Sequence, residues 1–109
     1  MAGKFEVYKD KAGKYRFRLK AGNGQIVLTG QAYKSKDACL DGIDSVKKNS
    51  QKETAFEVYE DKKGEFRFRL KAANGEIIGQ GESYNSRSGC EKGIESVKKN
   101  SADSRIVEV

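Results

Sequence analysis

The sequence predicts an α+β fold in which two copies of a β-β-β-α unit and one further strand share an antiparallel sheet. Both helices pack on one face of that sheet, and the copies are related by a pseudo-twofold axis. Three observations predict this. Residues 5–50 and 56–101 align without a gap at an offset of 51 (56 − 5), with roughly 60% of positions identical, so a whole supersecondary unit is repeated. Each copy passes from strict apolar–polar alternation to a 3.6-residue period. The connection between them, QKETA, is shorter than independent domains need, so residues 1–109 read as one domain.

The first strand of each copy opens with FEVY. Lys11-Ala12-Gly13 and Lys62-Lys63-Gly64 suit a three-residue hairpin loop, a type I turn closed by glycine in the left-handed region. That loop length sets Glu6 opposite Arg18 and Tyr8 opposite Arg16. The second strand is the clearest element. Tyr15, Phe17, Leu19 and Ala21 point one way and Arg16, Arg18 and Lys20 the other, as do Phe66, Phe68, Leu70 and Ala72 against Arg67, Arg69 and Lys71. One face therefore meets a core and the other meets water.

Asn23-Gly24 and Asn74-Gly75 predict two-residue type I′ turns. These put Leu19 opposite Leu28, and Phe17 and Phe68 opposite Gly30 and Gly81, with Val27 and Ile78 on the outer face. Ser35 and Ser86 predict helix N-caps. Cys39, Ile43 and Val46 recur as one apolar stripe, as do Cys90, Ile94 and Val97. Lys47 and Lys48 (Lys98 and Lys99) suit the negative end of the helix dipole, followed by an asparagine that can close the helix. Gly42 and Gly93 sit mid-helix, where close packing is expected, with Tyr33 and Tyr84 as candidate neighbours. Finally Ile106–Val109 aligns with Ala55–Val58, which predicts a trailing strand over 105–109.

FEVYKD, YRFRLKA followed by NG, and the GI(D/E)SVKKN helix end, with FEVYED and FRFRLKA as their counterparts in copy two, resemble the YegP-like family of small bacterial proteins in its duplicated subfamily. The resemblance spans nearly the whole chain. It implies β3-αβ units assembled around one sheet with their C-terminal strands exchanged. It implies no catalytic residue, cofactor or substrate.

Composition narrows the chemistry. The 109 residues contain no histidine, so the commonest general base and zinc ligand is absent, and two cysteines alone cannot build a structural zinc site. No metal and no cofactor is expected. Cys39 and Cys90 occupy equivalent core positions without a CxxC spacing and read as buried, reduced thiols. No run of apolar residues reaches membrane-spanning length and no signal peptide opens the chain, so a cytoplasmic protein without a membrane partner is expected. It should act as a monomer, an internal pseudo-dimer.

The carboxylates Glu6, Glu57, Asp10 and Asp61 lie beside basic residues or turns and read as solvated ion-pair partners rather than catalysts. The net charge of +6 keeps an anionic partner in view. The candidate interaction surface is the outer sheet face, with Tyr8, Arg16, Arg18, Lys20, Val27, Tyr59, Arg67, Arg69, Lys71 and Ile78. Three readings compete there, the plainest being a charge ladder, partly neutralised by Glu6, Glu57 and Glu82, that only keeps an open sheet face soluble. Val27 and Ile78 beside arginine and tyrosine would make an apolar patch for a protein partner. Arginine interleaved with tyrosine would instead hold phosphates and stack bases of single-stranded nucleic acid. The favoured reading is a non-enzymatic protein-binding or accessory module, with nucleic-acid binding second and an enzyme third.

Overall fold

The alternating sequences YRFRLK and FRFRLK form the second strand of each copy, and the sheet is built outward from them. In the computed structural model, which describes residues 3–102 and 104–109 and leaves the Glu53 side chain aside, seven strands form one sheet. They are β1 (Lys4–Lys9), β2 (Tyr15–Lys20), β3 (Ile26–Thr29), β4 (Phe56–Glu60), β5 (Phe66–Lys71), β6 (Ile77–Gln80) and β7 (Arg105–Glu108). Their order across the sheet is β4-β5-β6-β3-β2-β1-β7. Helices α1 (Lys36–Asn49) and α2 (Arg87–Ala102) follow β3 and β6, and a single 3-10 turn, Glu53–Ala55, leads into β4.

The pseudo-twofold axis can be located from two contacts in which a residue meets its own counterpart at the repeat offset. Thr29 of β3 pairs with Gln80 of β6 in the middle of the sheet. Beneath the sheet, the hydroxyls of Ser50 and Ser101 lie 2.7 Å apart and fully buried. Between these contacts lies one core. Phe5, Phe17, Leu19, Leu28, Phe68 and Leu70 from the strands meet Cys39, Ile43, Val46, Cys90 and Val97 from the helices. Both cysteines are free thiols in that core, and burial pushes their pKa values up. The N-caps form as expected: Ala38 N–H donates to Ser35 Oγ and Gly89 N–H to Ser86 Oγ. A Cβ on Gly42 or Gly93 would overlap the Tyr33 or Tyr84 hydroxyl, so glycine lets each tyrosine close over its helix.

Four expectations need correction. The Asn-Gly turns are not type I′. Ala21 N–H donates to Gln25 O and Gly24 N–H to Ala21 O, which encloses three loop residues rather than two. Among the described residues only glycines have positive φ, and Gly24 and Gly75 take it at 87° and 88°. The Asn23 side chain accepts from Gln25 N–H, so asparagine closes the turn through its amide and leaves the left-handed position to glycine.

This longer loop pairs Lys20 with Ile26, one residue out of the expected register. A bulge then restores Leu19 opposite Leu28, and copy two repeats it with Lys71 on Ile77 and Leu70 on Gly79. The residues left unpaired against β2 and β5 are Val27 and Ile78. A bulge re-aims its side chain. Val27 and Ile78 are 5% and 8% exposed and join the core cluster, so the apolar patch expected from them on the outer face does not form.

The helix ends also differ. Asn49 lies within α1 and donates to Ser45 O, and Ser50 caps the helix with its N–H on Val46 O. Six strands are antiparallel as expected, but β7 joins β1 in parallel. A strand that returns through a helix can lie parallel, which a tight hairpin forbids.

Candidate functional site

The helices occupy the Leu19 and Leu70 face of the sheet, and the basic residues of β2 and β5 project from the other. The hairpin register is the one the loops predict: Glu6 faces Arg18, Tyr8 faces Arg16, Glu57 faces Arg69 and Tyr59 faces Arg67. Eight of the ten residues singled out in the sequence therefore share this face: Tyr8, Arg16, Arg18, Lys20, Tyr59, Arg67, Arg69 and Lys71. Val27 and Ile78 are withdrawn from it.

Every one of the six cations has a carboxylate partner. Arg18 Nε donates to Glu6 Oε1 at 2.7 Å, and Lys20 and Lys4 approach the same carboxylate at 3.3 and 3.5 Å. Arg16 and Arg67 bind Asp10 and Asp61 at 2.8 and 3.1 Å. Arg69 and Lys71 approach Glu57 at 3.0 and 3.5 Å. The two glutamate clusters are not equivalent: Arg18 Nε makes a hydrogen bond, whereas Arg69 Nε lies near its carboxylate without one.

The tyrosines are engaged as well. Arg18 stacks over Tyr8 at 4.6 Å and Arg69 over Tyr59 at 4.2 Å, so one face of each ring is taken by an arginine.

The electrostatics follow from these contacts. The Arg18 hydrogen bond, with help from Lys20, holds the Glu6 carboxyl below the ordinary glutamate range against the opposing effect of burial. Arg16 does the same for Asp10, and the Glu65 N–H for Asp61, aided by Arg67. These carboxylates are ionised at neutral pH and poorly disposed to carry protons.

Two features lay outside the sequence reading. Asp10 and Asp61 clamp their turns, each accepting two backbone N–H groups while it pairs with arginine. The signal was present: an aspartate at the first position of a type I turn folds back on the backbone in this way. Glu6, read as solvated, is 5% exposed. No signal for this lies in its own repeat, because Glu57 has the same neighbours in sequence and is exposed. The difference comes from β7, which lies alongside β1 and sets Val107 beside Glu6.

Comparison with known proteins agrees with the repeat. A family described as "domain of unknown function (DUF1508)" matches residues 10–57 and 61–108, so each matched unit runs from a β1–β2-type turn into the strand that follows its helix. The UPF0339 protein in the ptx operon 5′ region of Stutzerimonas stutzeri is 48% identical over 109 residues, covering 100% of this chain and 98% of the relative. A UPF0339 protein of Treponema denticola is 60% identical over 58 residues, which is 53% of this chain and 100% of the relative. The solution NMR structure of YegP from Escherichia coli, described as a protein of unknown function, matches with a TM-score of 0.93 at 42% identity. The match covers 99% of this chain and 93% of that one.

Proposed function

We propose, from the premise that this chain belongs to the DUF1508 family, that it is a non-enzymatic module that binds another protein through the outer face of its sheet. The observation that carries this reading is the pair of arginine-on-tyrosine stacks, Arg18 on Tyr8 and Arg69 on Tyr59, each braced by a glutamate. Arginine and tyrosine are the side chains on which binding energy concentrates at protein interfaces. Side chains already held in place lose less conformational entropy on binding.

The same contacts weigh against nucleic acid. Each arginine is already partly neutralised by a carboxylate, and one face of each tyrosine ring is taken by an arginine. They also weigh against catalysis. The carboxylates are held ionised by their partners, and the thiols are buried and pushed away from thiolate.

Capture from a native lysate tests the reading, with the wild-type chain compared against Arg18→Glu/Arg69→Glu, with and without nuclease. A defined protein retained by the wild type, lost by the variant and indifferent to nuclease is the expected result. Capture abolished by nuclease would transfer the surface to nucleic acid. Identical capture by both chains would remove the outer face from the account.

A further inference from the structure

The repeat produces two helices, each followed by a strand, but the two strands are used differently. The strand after α2 is β7, which lies outside β1 and ends the sheet. The strand after α1 is β4, which enters the hairpin with β5 and so cannot also lie outside it. The β1 edge is covered and the β4 edge is open.

The open edge leaves a mark on every residue around it. Phe5 and Val7 of β1 are fully buried, whereas their counterparts Phe56 and Val58 of β4 are half-buried. Ile43 of α1 is fully buried and Ile94 of α2 half-buried. The Glu6 side chain is 7% exposed and that of Glu57 47%. Phe56, Val58 and Ile94 line a groove of about 450 Å³ between β4 and α2, together with Glu91, Glu95 and Lys98.

The corresponding groove of copy one shows what such a site takes. Arg105–Glu108 lies in it, with Ile106 beside Phe5, Val107 beside Glu6 and Glu108 beside Val7. The Val7 carbonyl accepts from Val109 N–H. Lys36, at the start of α1, binds the Glu108 carboxylate, and Lys47, at its end, donates to Ser104 O. At the repeat offset these lysines correspond to Arg87 and Lys98. Arg87 pairs with Glu91 at 3.7 Å on the exposed helix surface, a contact readily exchanged for another carboxylate.

We infer that the outer edge of β4 and its groove form a strand-binding site for a partner protein. The ligand is an extended segment that adds parallel to β4 and carries two consecutive apolar residues followed by a carboxylate. The first apolar residue lies beside Phe56 over the groove, the second beside Glu57, and the carboxylate beside Val58 within reach of Arg87. Backbone hydrogen bonds hold the segment and the side chains choose it, as in other cases of strand addition to a sheet edge. This site adjoins the arginine–tyrosine face at Glu57 but is formed by the β4 edge and its groove, and its test does not depend on that reading.

The test uses the full chain and the hexapeptide SRIVEV, the sequence of residues 104–109, followed by amide chemical shifts. Saturable shifts are expected across Phe56–Glu60 and along the Ile94–Lys98 flank of α2, with β1 and β7 undisturbed, at a dissociation constant of about 1 mM or tighter. A peptide with arginine in place of the glutamate should bind about two- to fivefold more weakly, and Arg87→Glu should reverse that preference. Ile94→Arg should abolish the shifts while the copy-one spectrum reports an intact fold. Absence of shifts in β4, or shifts confined to β1 and β7 as their own strand is displaced, would overturn the inference. So would a peptide-independent dimer formed through β4.

Discussion

Strands β1 and β4 carry the same four residues, Phe-Glu-Val-Tyr, and face their hairpin partners in the same register. Yet Phe5, Glu6 and Val7 are buried, while Phe56 and Val58 are half-buried and Glu57 is exposed. Identical local sequence thus produces a core strand at one edge of the sheet and a surface strand at the other. Burial here is decided by where the chain goes afterwards. Each helix is followed by a strand, and only the second of those strands has no other engagement.

The difference should be largest for the aromatic ring. Phe5→Ala should cost about 3–5 kcal/mol, the range for a fully enclosed phenylalanine, and Phe56→Ala about half of that. Urea unfolding of the two variants measures the gap. Equal losses would show that β7 does little to enclose Phe5. The comparison can then be broken on purpose. Removing residues 105–109 should cost about 2–4 kcal/mol, through lost ladder hydrogen bonds and uncovered apolar surface. In that shortened chain the penalties of Phe5→Ala and Phe56→Ala should converge.

How much of this was legible beforehand depends on whether the information is local. The register of the β1–β2 and β4–β5 hairpins, the serine caps and the tyrosine over each helix glycine follow from loop length, hydroxyl chemistry and side-chain volume, all readable within about twenty residues. Val27 and Ile78 were misplaced because Asn-Gly is compatible with more than one turn. The two-residue loop and the three-residue loop plus bulge give the same core register at Leu19 and Leu28, and differ in where the extra residue goes. The strand at 105–109 was legible from its alignment with Ala55–Val58. Its neighbour and its direction were not, because a strand delivered by a helix can reach either edge. The contrast between Glu6 and Glu57, and the β4 groove with it, follows from that one undetermined pairing.

The carboxylates give a smaller contrast of the same kind. Glu6 gathers Arg18, Lys20 and Lys4 in a buried setting, and Glu6→Gln should cost about 1.5–3 kcal/mol, as for hydrogen bonds to a charged group. Glu57→Gln should cost less than about 1 kcal/mol, since a half-exposed pair is screened by water. The pH dependence has a definite sign. The folded Glu6 pKa lies below its ordinary value of 4.5, so its contribution is complete above that pH and is lost as pH falls through the folded value. Wild type and Glu6→Gln should therefore run parallel in stability near neutrality and converge below pH 4.5. Curves that remain parallel in acid would mean that Glu6 is not the group being protonated.

A last contrast lies where the two copies must agree. Ser50 and Ser101 share a buried hydrogen bond across the pseudo-twofold axis, far from either sheet edge. Ser50 Oγ has further partners, since it reaches Lys47 O at 3.4 Å and accepts from the Gln51 side chain, whereas the further bond at Ser101 is from Ser104 Oγ to its backbone carbonyl. Each single substitution should cost about 1 kcal/mol, with Ser50→Ala the larger because Ser101→Ala leaves Ser50 Oγ its other contacts. The double variant should cost clearly less than the two singles together, since the second substitution removes a group already left unpaired. A thermodynamic cycle over the four chains reads this coupling directly. Additive losses would mean that the hydroxyls do not act through each other, and the axis would then rest on the Thr29–Gln80 pairing in the sheet. Coupled losses would show that the copies are tied together at the axis, away from the edges where β7 covers β1 and β4 stands open.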